Sequence, residues 1–196
     1  MRHSVTGSVR KFDGCYQAEK WKIFFRDDSL GTTAYGTWSS NKYDVPRHAG
    51  VRRYGVAKMC ATMMIGELQG RLDADPVLRG ISIAGMDPGI MGTDPNRRGN
   101  RFTRVLLWPI IVPLLAPIWT WLQPNGPVRT IRKSAVDVLK VAFETGHELR
   151  GQFPNGSEVQ DVVPEAADAR KWVMVWADGV KYAELSGQDT EMVNWK

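Results

Sequence analysis

Val105–Leu122 (VLLWPIIVPLLAPIWTWL) is an 18-residue run without a charge, and it sets the strongest constraint on this chain. A run of that length stands at the lower edge of what spans a bilayer as a helix, about 17–25 residues. Pro109, Pro113 and Pro117 interrupt it. A proline inside a helix removes a backbone hydrogen bond and costs about 3 kcal/mol. In lipid the freed carbonyls need other partners. The expectation is therefore against a spanning helix. Arg97, Arg98, Arg101 and Arg104 precede the run, and Trp108, Trp119 and Trp121 lie near its ends. That arrangement suits a lobe resting at a membrane surface. It suits equally a greasy lid over an apolar substrate pocket.

The rest of the chain reads as an ordinary globular protein. Its 196 residues are 43% hydrophobic and 24% charged, which fits one domain and excludes a disordered chain, a collagen-like repeat or a disulfide-stapled miniprotein. Lys+Arg 26 against Asp+Glu 21 gives a net charge of +5, scattered along the sequence. Arg52-Arg53 and Arg97-Arg98 are short pairs that suit a solvated face, so no nucleic-acid partner is expected. Cys15 and Cys60 fit no zinc spacing and read as free thiols in a reducing compartment. His3, His48 and His147 lie far apart, so no metal site is expected. The opening MRHSVTGSVRKFDG has no apolar core of a signal peptide, which points to a cytoplasmic location, membrane-associated if the apolar lobe rests on lipid.

Hydrophobic spacing outlines the elements. Tyr54, Ala57, Ala61, Met64 or Ile65, Leu68 and Leu72 recur at three- and four-residue intervals, which predicts a helix over 51–72. Short strands are expected over 34–38, over 80–86 (GISIAGM) and over 151–153. Asp87-Pro88-Gly89 closes the second of these as a turn. Ser134 is placed to cap a helix running to Glu144, and Pro164-Glu165 opens a last helix carrying Ala169, Trp172, Val173 and Trp176. This order suggests an α/β fold with a parallel sheet.

Tyr54-Gly55-Val56-Ala57-Lys58 carries the chemistry. A separation of four puts Tyr54 and Lys58 on one helical face, within about 6 Å at Cβ. A free phenol has a pKa near 10 and is a poor base at neutral pH. An ammonium beside it favours the phenolate. A tyrosine so tuned can pass a proton to or from an alcohol or carbonyl oxygen. The pair has a bland reading as well, in which a core residue and a solvated charge happen to sit four apart.

The context extends the pattern. YGVAKMCATMMIGELQGRL is followed by ISIAGMDPGIMGT, and Ser39-Ser40 stands ahead of both. Helix, strand and P-G-x-x-x-T together resemble the C-terminal half of the short-chain dehydrogenase/reductase family, in its retinol-dehydrogenase-like and fungal branch. The stretches GQFPNG and PEAADARKWVMVWADGV are similar in plan, so the resemblance covers roughly 39–185. It implies an NAD(P)-dependent oxidoreductase acting on an apolar alcohol or carbonyl. It implies Tyr54 as general acid/base and Lys58 as its partner and a contact for the nicotinamide ribose. Ser40 would hold the substrate oxygen, with Ser39 and then Ser29 as alternatives. Pro88, Gly89, Ile90 and Thr93 would border the nicotinamide of NAD or NADP. The segment 97–122 would form the apolar substrate lobe. In the family, the Y-x-x-x-K helix commonly packs against its mate in a dimer. Met59, Met63 and Met64 would contribute to that face, unless they form a core stripe.

The departures from the family matter equally. Its members begin with T-G-x-x-x-G-x-G, whose glycines let a helix N-terminus approach the pyrophosphate. Here Thr6-Gly7 is followed by Lys11 and Asp13 where glycines are needed. Three strand-helix units and a fourth strand need about 100 residues, at roughly 30 or more per unit, and Tyr54 arrives too early for them. The expected architecture is a partial Rossmann-like, doubly wound parallel sheet lacking its first strands and glycine-rich loop. Residues 1–30 would be an atypical leading segment and 31–196 the C-terminal part of an NAD(P)-binding domain. Two functional readings follow: an oxidoreductase, or a catalytically inactive remnant acting through association or membrane-surface contact, its cofactor binding lost.

Overall fold

The computed structural model describes residues 23–25, 29–37, 49–91, 102–144, 149–156, 158–159 and 162–195. Helices dominate. A short α1 (Gly31–Ala34) precedes the long α2 (Ala49–Ala74). Next comes α3, a π-helical stretch Thr103–Ile111 that continues as an α-helix over Val112–Leu122. α4 (Ile131–Leu139) likewise runs on as a π-helical turn, Lys140–Glu144. α5 (Pro164–Ala167) and α6 (Ala169–Tyr182) close the order.

The predicted helices form for the expected reasons, with local differences. α2 extends beyond 51–72 at both ends. Thr130, not Ser134, caps α4: its hydroxyl accepts from Lys133 N at 3.2 Å, a side-chain bond that satisfies one orphan amide of the first turn. Ser134 points elsewhere and donates to Pro88 O at 2.7 Å. The last helix breaks at Asp168, whose carboxylate accepts from Arg170 N and starts α6 anew.

The parallel sheet is not formed. Among the described residues there is no strand, so the Rossmann-like expectation is corrected to a helical fold with isolated bridges. Residues 34–37 are the end of α1 and a turn, not a strand. The run 81–87 is extended and lies beside 151–156. Four backbone bonds join them: Gly151 N to Ile83 O, Gly85 N to Gln152 O, Asp87 N to Pro154 O and Gly156 N to Asp87 O. These close one parallel bridge, Asp87 with Asn155, and no ladder. Parallel strands are stable when buried on both faces and paired on both edges. Here Ser82, Ala84 and Met86, which face the other edge, have no backbone partner among the described residues. The Gln69 side chain stands in for a neighbouring strand, taking Ile83 N at 2.7 Å and Ile81 O at 3.3 Å.

The core lies between α2 and α6. Val56, Met59 and Met63 pack with Val175, Ala166, Phe24 and Phe25. Met59 and Met63 are therefore core residues on the α6 side of α2. Glu165 ties the leading segment down by accepting from Phe24 N at 2.8 Å and Phe25 N at 2.9 Å, and Lys171 pairs with the same carboxylate. The helices cross closely at Gly66, where a Cβ would lie 2.8 Å from the Trp172 ring. That ring cannot slide away easily, because its Nε1 donates to Ala166 O at 2.6 Å. Gly66→Val is therefore expected to lower stability by about 1–3 kcal/mol through overpacking, measured as a shift in the denaturant midpoint.

Candidate functional site

Tyr54 and Lys58 occupy the second turn of α2. Tyr54 is 54% exposed, and the Lys58 Nζ lies over its ring, 5.6 Å from the centroid. The spacing 54, 58, 65, 69 places four side chains on one stripe of the helix. The lower half of that stripe touches the extended run. Gln69 holds Ile81 and Ile83, and Gly85 sits against Ile65, where a Cβ would lie 2.7 Å from Ile65 Cδ1. So the run climbs α2 antiparallel. Two extended residues advance about 6.6 Å, and four helical residues about 6 Å. The run therefore heads towards the N-terminal half of α2.

That turn is built around Arg129, a fully buried cation. Its Nε donates to Gly126 O at 3.0 Å, Nη1 to Asp87 O at 2.9 Å, and Nη2 to Asn125 O at 3.0 Å and to Asn155 Oδ1. Asp137 lies 3.9 Å from Nη1 and also pairs with Lys133. Burial pushes the guanidinium below its ordinary pKa, and the carboxylates of Asp87, Asp137 and Glu158 pull it back up. Two glycines make room for it. Gly89 and Gly156 both have positive φ, and a Cβ would meet Arg129 at 3.1 Å and 2.7 Å respectively.

The backbone of the Pro88-Gly89-Ile90 turn is therefore already engaged. Pro88 O accepts from Ser134, Gly89 N donates to Asp87, Ile90 N donates to Pro127 O, and Ile90 O accepts from Arg129 N. Sequence reasoning passed over Arg129, because no local pattern marks an arginine whose partners are carbonyls and a distant carboxylate. Ser40, Ser39 and Thr93 lie outside the described residues, as do Thr6-Gly7 and Cys15. Ser29 is used structurally: its hydroxyl bonds Asp178 at 3.2 Å and accepts from Gly31 N.

A cleft of about 580 Å³ opens on the neighbouring face of α2, between Arg53, Val56, Ala57, Cys60 and the α1 turn. Tyr54 is not in its wall. Thr33 Oγ1 lies buried there without a hydrogen-bond partner. Burial pushes the Cys60 thiol up from 9.0 to about 11, with the Glu165 carboxylate adding in the same direction. Cys60 is thus a protonated, weakly reactive thiol at neutral pH.

The fit to a dinucleotide is partial. Tyr54 and Lys58 offer the groups that would meet a ribose. A pyrophosphate needs glycine-lined backbone left open for it. The glycine turns beside this site, Gly89 and Gly156, are filled by Arg129 instead. Among the described residues no cradle for the phosphates exists, and the residues present do not fit a whole NAD(P). Nor do three His, Cys, Asp or Glu side chains gather among them as metal ligands would.

Two tests follow. Arg129→Ala leaves the Asp87, Asn125 and Gly126 carbonyls and the Asn155 side chain without their donor, which is expected to cost about 3–5 kcal/mol. Lys at the same place recovers only part of that, because it lacks the fork of donors. Chemical denaturation of both variants measures the difference. For Cys60, a raised pKa in the folded state means its contribution to stability is complete below pH 9 and is lost as pH rises towards 11. In a Cys15→Ser background, iodoacetamide at pH 8 should label the folded chain slowly and the denatured chain fast.

No protein-family model and no solved structure matches this chain. A curated protein of Talaromyces variabilis, short-chain dehydrogenase iccH, is 46% identical over 167 residues, covering 83% of this chain and 46% of that protein. The chain spans about half the length of that relative. Identity at this level over most of the chain leads to one conclusion: the chain belongs to the short-chain dehydrogenase family.

Proposed function

We propose that this chain carries the proton-handling part of an oxidoreductase that interconverts an apolar alcohol and its carbonyl. The observation behind this is the exposed Tyr54/Lys58 pair, with the ammonium over the phenol ring. Tyr54 would give a proton to the carbonyl oxygen in reduction, or take it from the alcohol in oxidation. Lys58, four residues on, would hold the polar edge of the site beside the phenol. Ser40 would hold the substrate oxygen. The apolar arm 97–122 supplies the reason to expect a hydrophobic substrate.

The redox half of the reaction needs a hydride carrier, and the described residues lack a cradle for its phosphates. NAD or NADP would then bind this chain poorly by itself. The non-catalytic reading is favoured by that same gap at Gly89 and Gly156, which Arg129 fills. The two readings separate in one experiment. Titration of the purified chain with NADH and NADPH, following cofactor fluorescence and melting together, is expected to show no saturable micromolar binding. Turnover of apolar alcohols at millimolar cofactor is then compared with that of Tyr54→Phe. An acid/base role predicts a loss of about 100-fold or more. Turnover that survives the substitution overturns the assignment of Tyr54, and no turnover in either protein leaves the remnant reading standing.

A further inference from the structure

α3 is an apolar helix that the described residues leave largely exposed. Of the window Val105–Leu122, mean hydropathy 1.9, only 6% is buried. Leu106, Ile110, Leu114, Leu115, Ile118 and Trp121 are exposed and point in several directions around the axis, and Ala116 is its buried residue. A helix that is hydrophobic all round belongs in the core of a larger body or in lipid. A partner helix or a second copy would cover one stripe. Lipid covers every side.

The charges agree with lipid. From Pro95 to Val136 the sequence holds Arg97, Arg98, Arg101, Arg104, Arg129, Arg132 and Lys133 and no acidic residue. Arg129 is buried and Lys133 is paired with Asp137, and the other arginines flank the apolar run in sequence as cations flank a segment seated at anionic headgroups. The prolines are accommodated as well. The π-helical stretch Thr103–Ile111 contains Pro109 and continues without a break through Pro113 and Pro117. Such local adjustment is how membrane helices tolerate proline.

The ends of the arm decide its orientation. Ile90 and Val128 form a parallel bridge, so the chain leaves and re-enters the folded body at one place. The far end is pinned there too, where Thr120 Oγ1 accepts from Thr130 N at 3.1 Å. The 18 residues of the run extend about 27 Å as a helix. Were the helix to cross the bilayer, the return connection with Arg97, Arg98 and Arg101 would have to cross with it, at a prohibitive cost for three cations. We infer that α3 embeds in one leaflet, lying beneath the headgroups of an anionic membrane.

Flotation of the full chain with phosphatidylcholine vesicles, with and without phosphatidylserine, tests this. The chain is expected to float with both, better with phosphatidylserine, and to stay bound through high salt and alkaline carbonate washes. Lipids brominated near the headgroup should quench tryptophan more than lipids brominated at the chain ends. The Leu114→Arg, Ile118→Arg double variant alters two exposed positions, so the folded body should keep its melting temperature while vesicle binding falls about 100-fold or more. Release by salt alone would overturn insertion in favour of a surface contact through the arginines. Strongest quenching at the bilayer centre would overturn the one-leaflet orientation. No flotation, with a stable dimer in sedimentation, would show that a second copy covers α3.

Discussion

The buried guanidinium of Arg129 is the interaction on which one end of this molecule depends. It gathers the carbonyls of Asp87, Asn125 and Gly126 and the side chain of Asn155, which come from three separate stretches of chain. Without it those carbonyls would face an apolar interior with no donor. Its geometry explains why glycine stands at 89 and 156 and why Ser134 turns away from the helix start to reach Pro88 O. It also compensates for what the chain lacks. Where a sheet would hold 81–87 between two neighbours, Arg129 grips one end of the run and Gln69 the other.

The consequence reaches the site. The backbone groups of the Pro88-Gly89 turn are spent on the protein itself. Tyr54 and Lys58 are held on a rigid helix. α2 is rigid for a plain reason: Val56, Met59 and Met63 lock one face against α6 through the close crossing at Gly66 and Trp172, and Ile65 and Gln69 engage the extended run on the other, leaving Tyr54 exposed.

Local periodicity made α2, α4 and the last helix legible, because apolar side chains at three- and four-residue intervals have one way to share a face. The Tyr54/Lys58 pair was legible for the same reason. The reading of α4 missed its cap, since Thr130 and Ser134 are both competent and only the position of Pro88 O settles which is used. The strands were misjudged at 34–38, 80–86 and 151–153. Branched apolar residues announce extended backbone, and 81–87 is indeed extended, but a strand exists only when a partner supplies its hydrogen bonds. The prolines of α3 do not end the helix, since a π-helical stretch absorbs Pro109.

What the sequence determined by itself was local: which segments wind into helices, which face of α2 carries Tyr54 and Lys58, and that the chain resembles part of a short-chain dehydrogenase. Tertiary structure alone decided that the extended runs would form bridges and no sheet, that Arg129 would be buried among carbonyls, and that α3 would be left bare. The physical reason is common to all three. Helical hydrogen bonds close within four or five residues, so nearby sequence contains their cause. Strand pairing, the burial of a charge and the covering of an apolar face depend on groups far along the chain, and their outcome is set only when those groups meet.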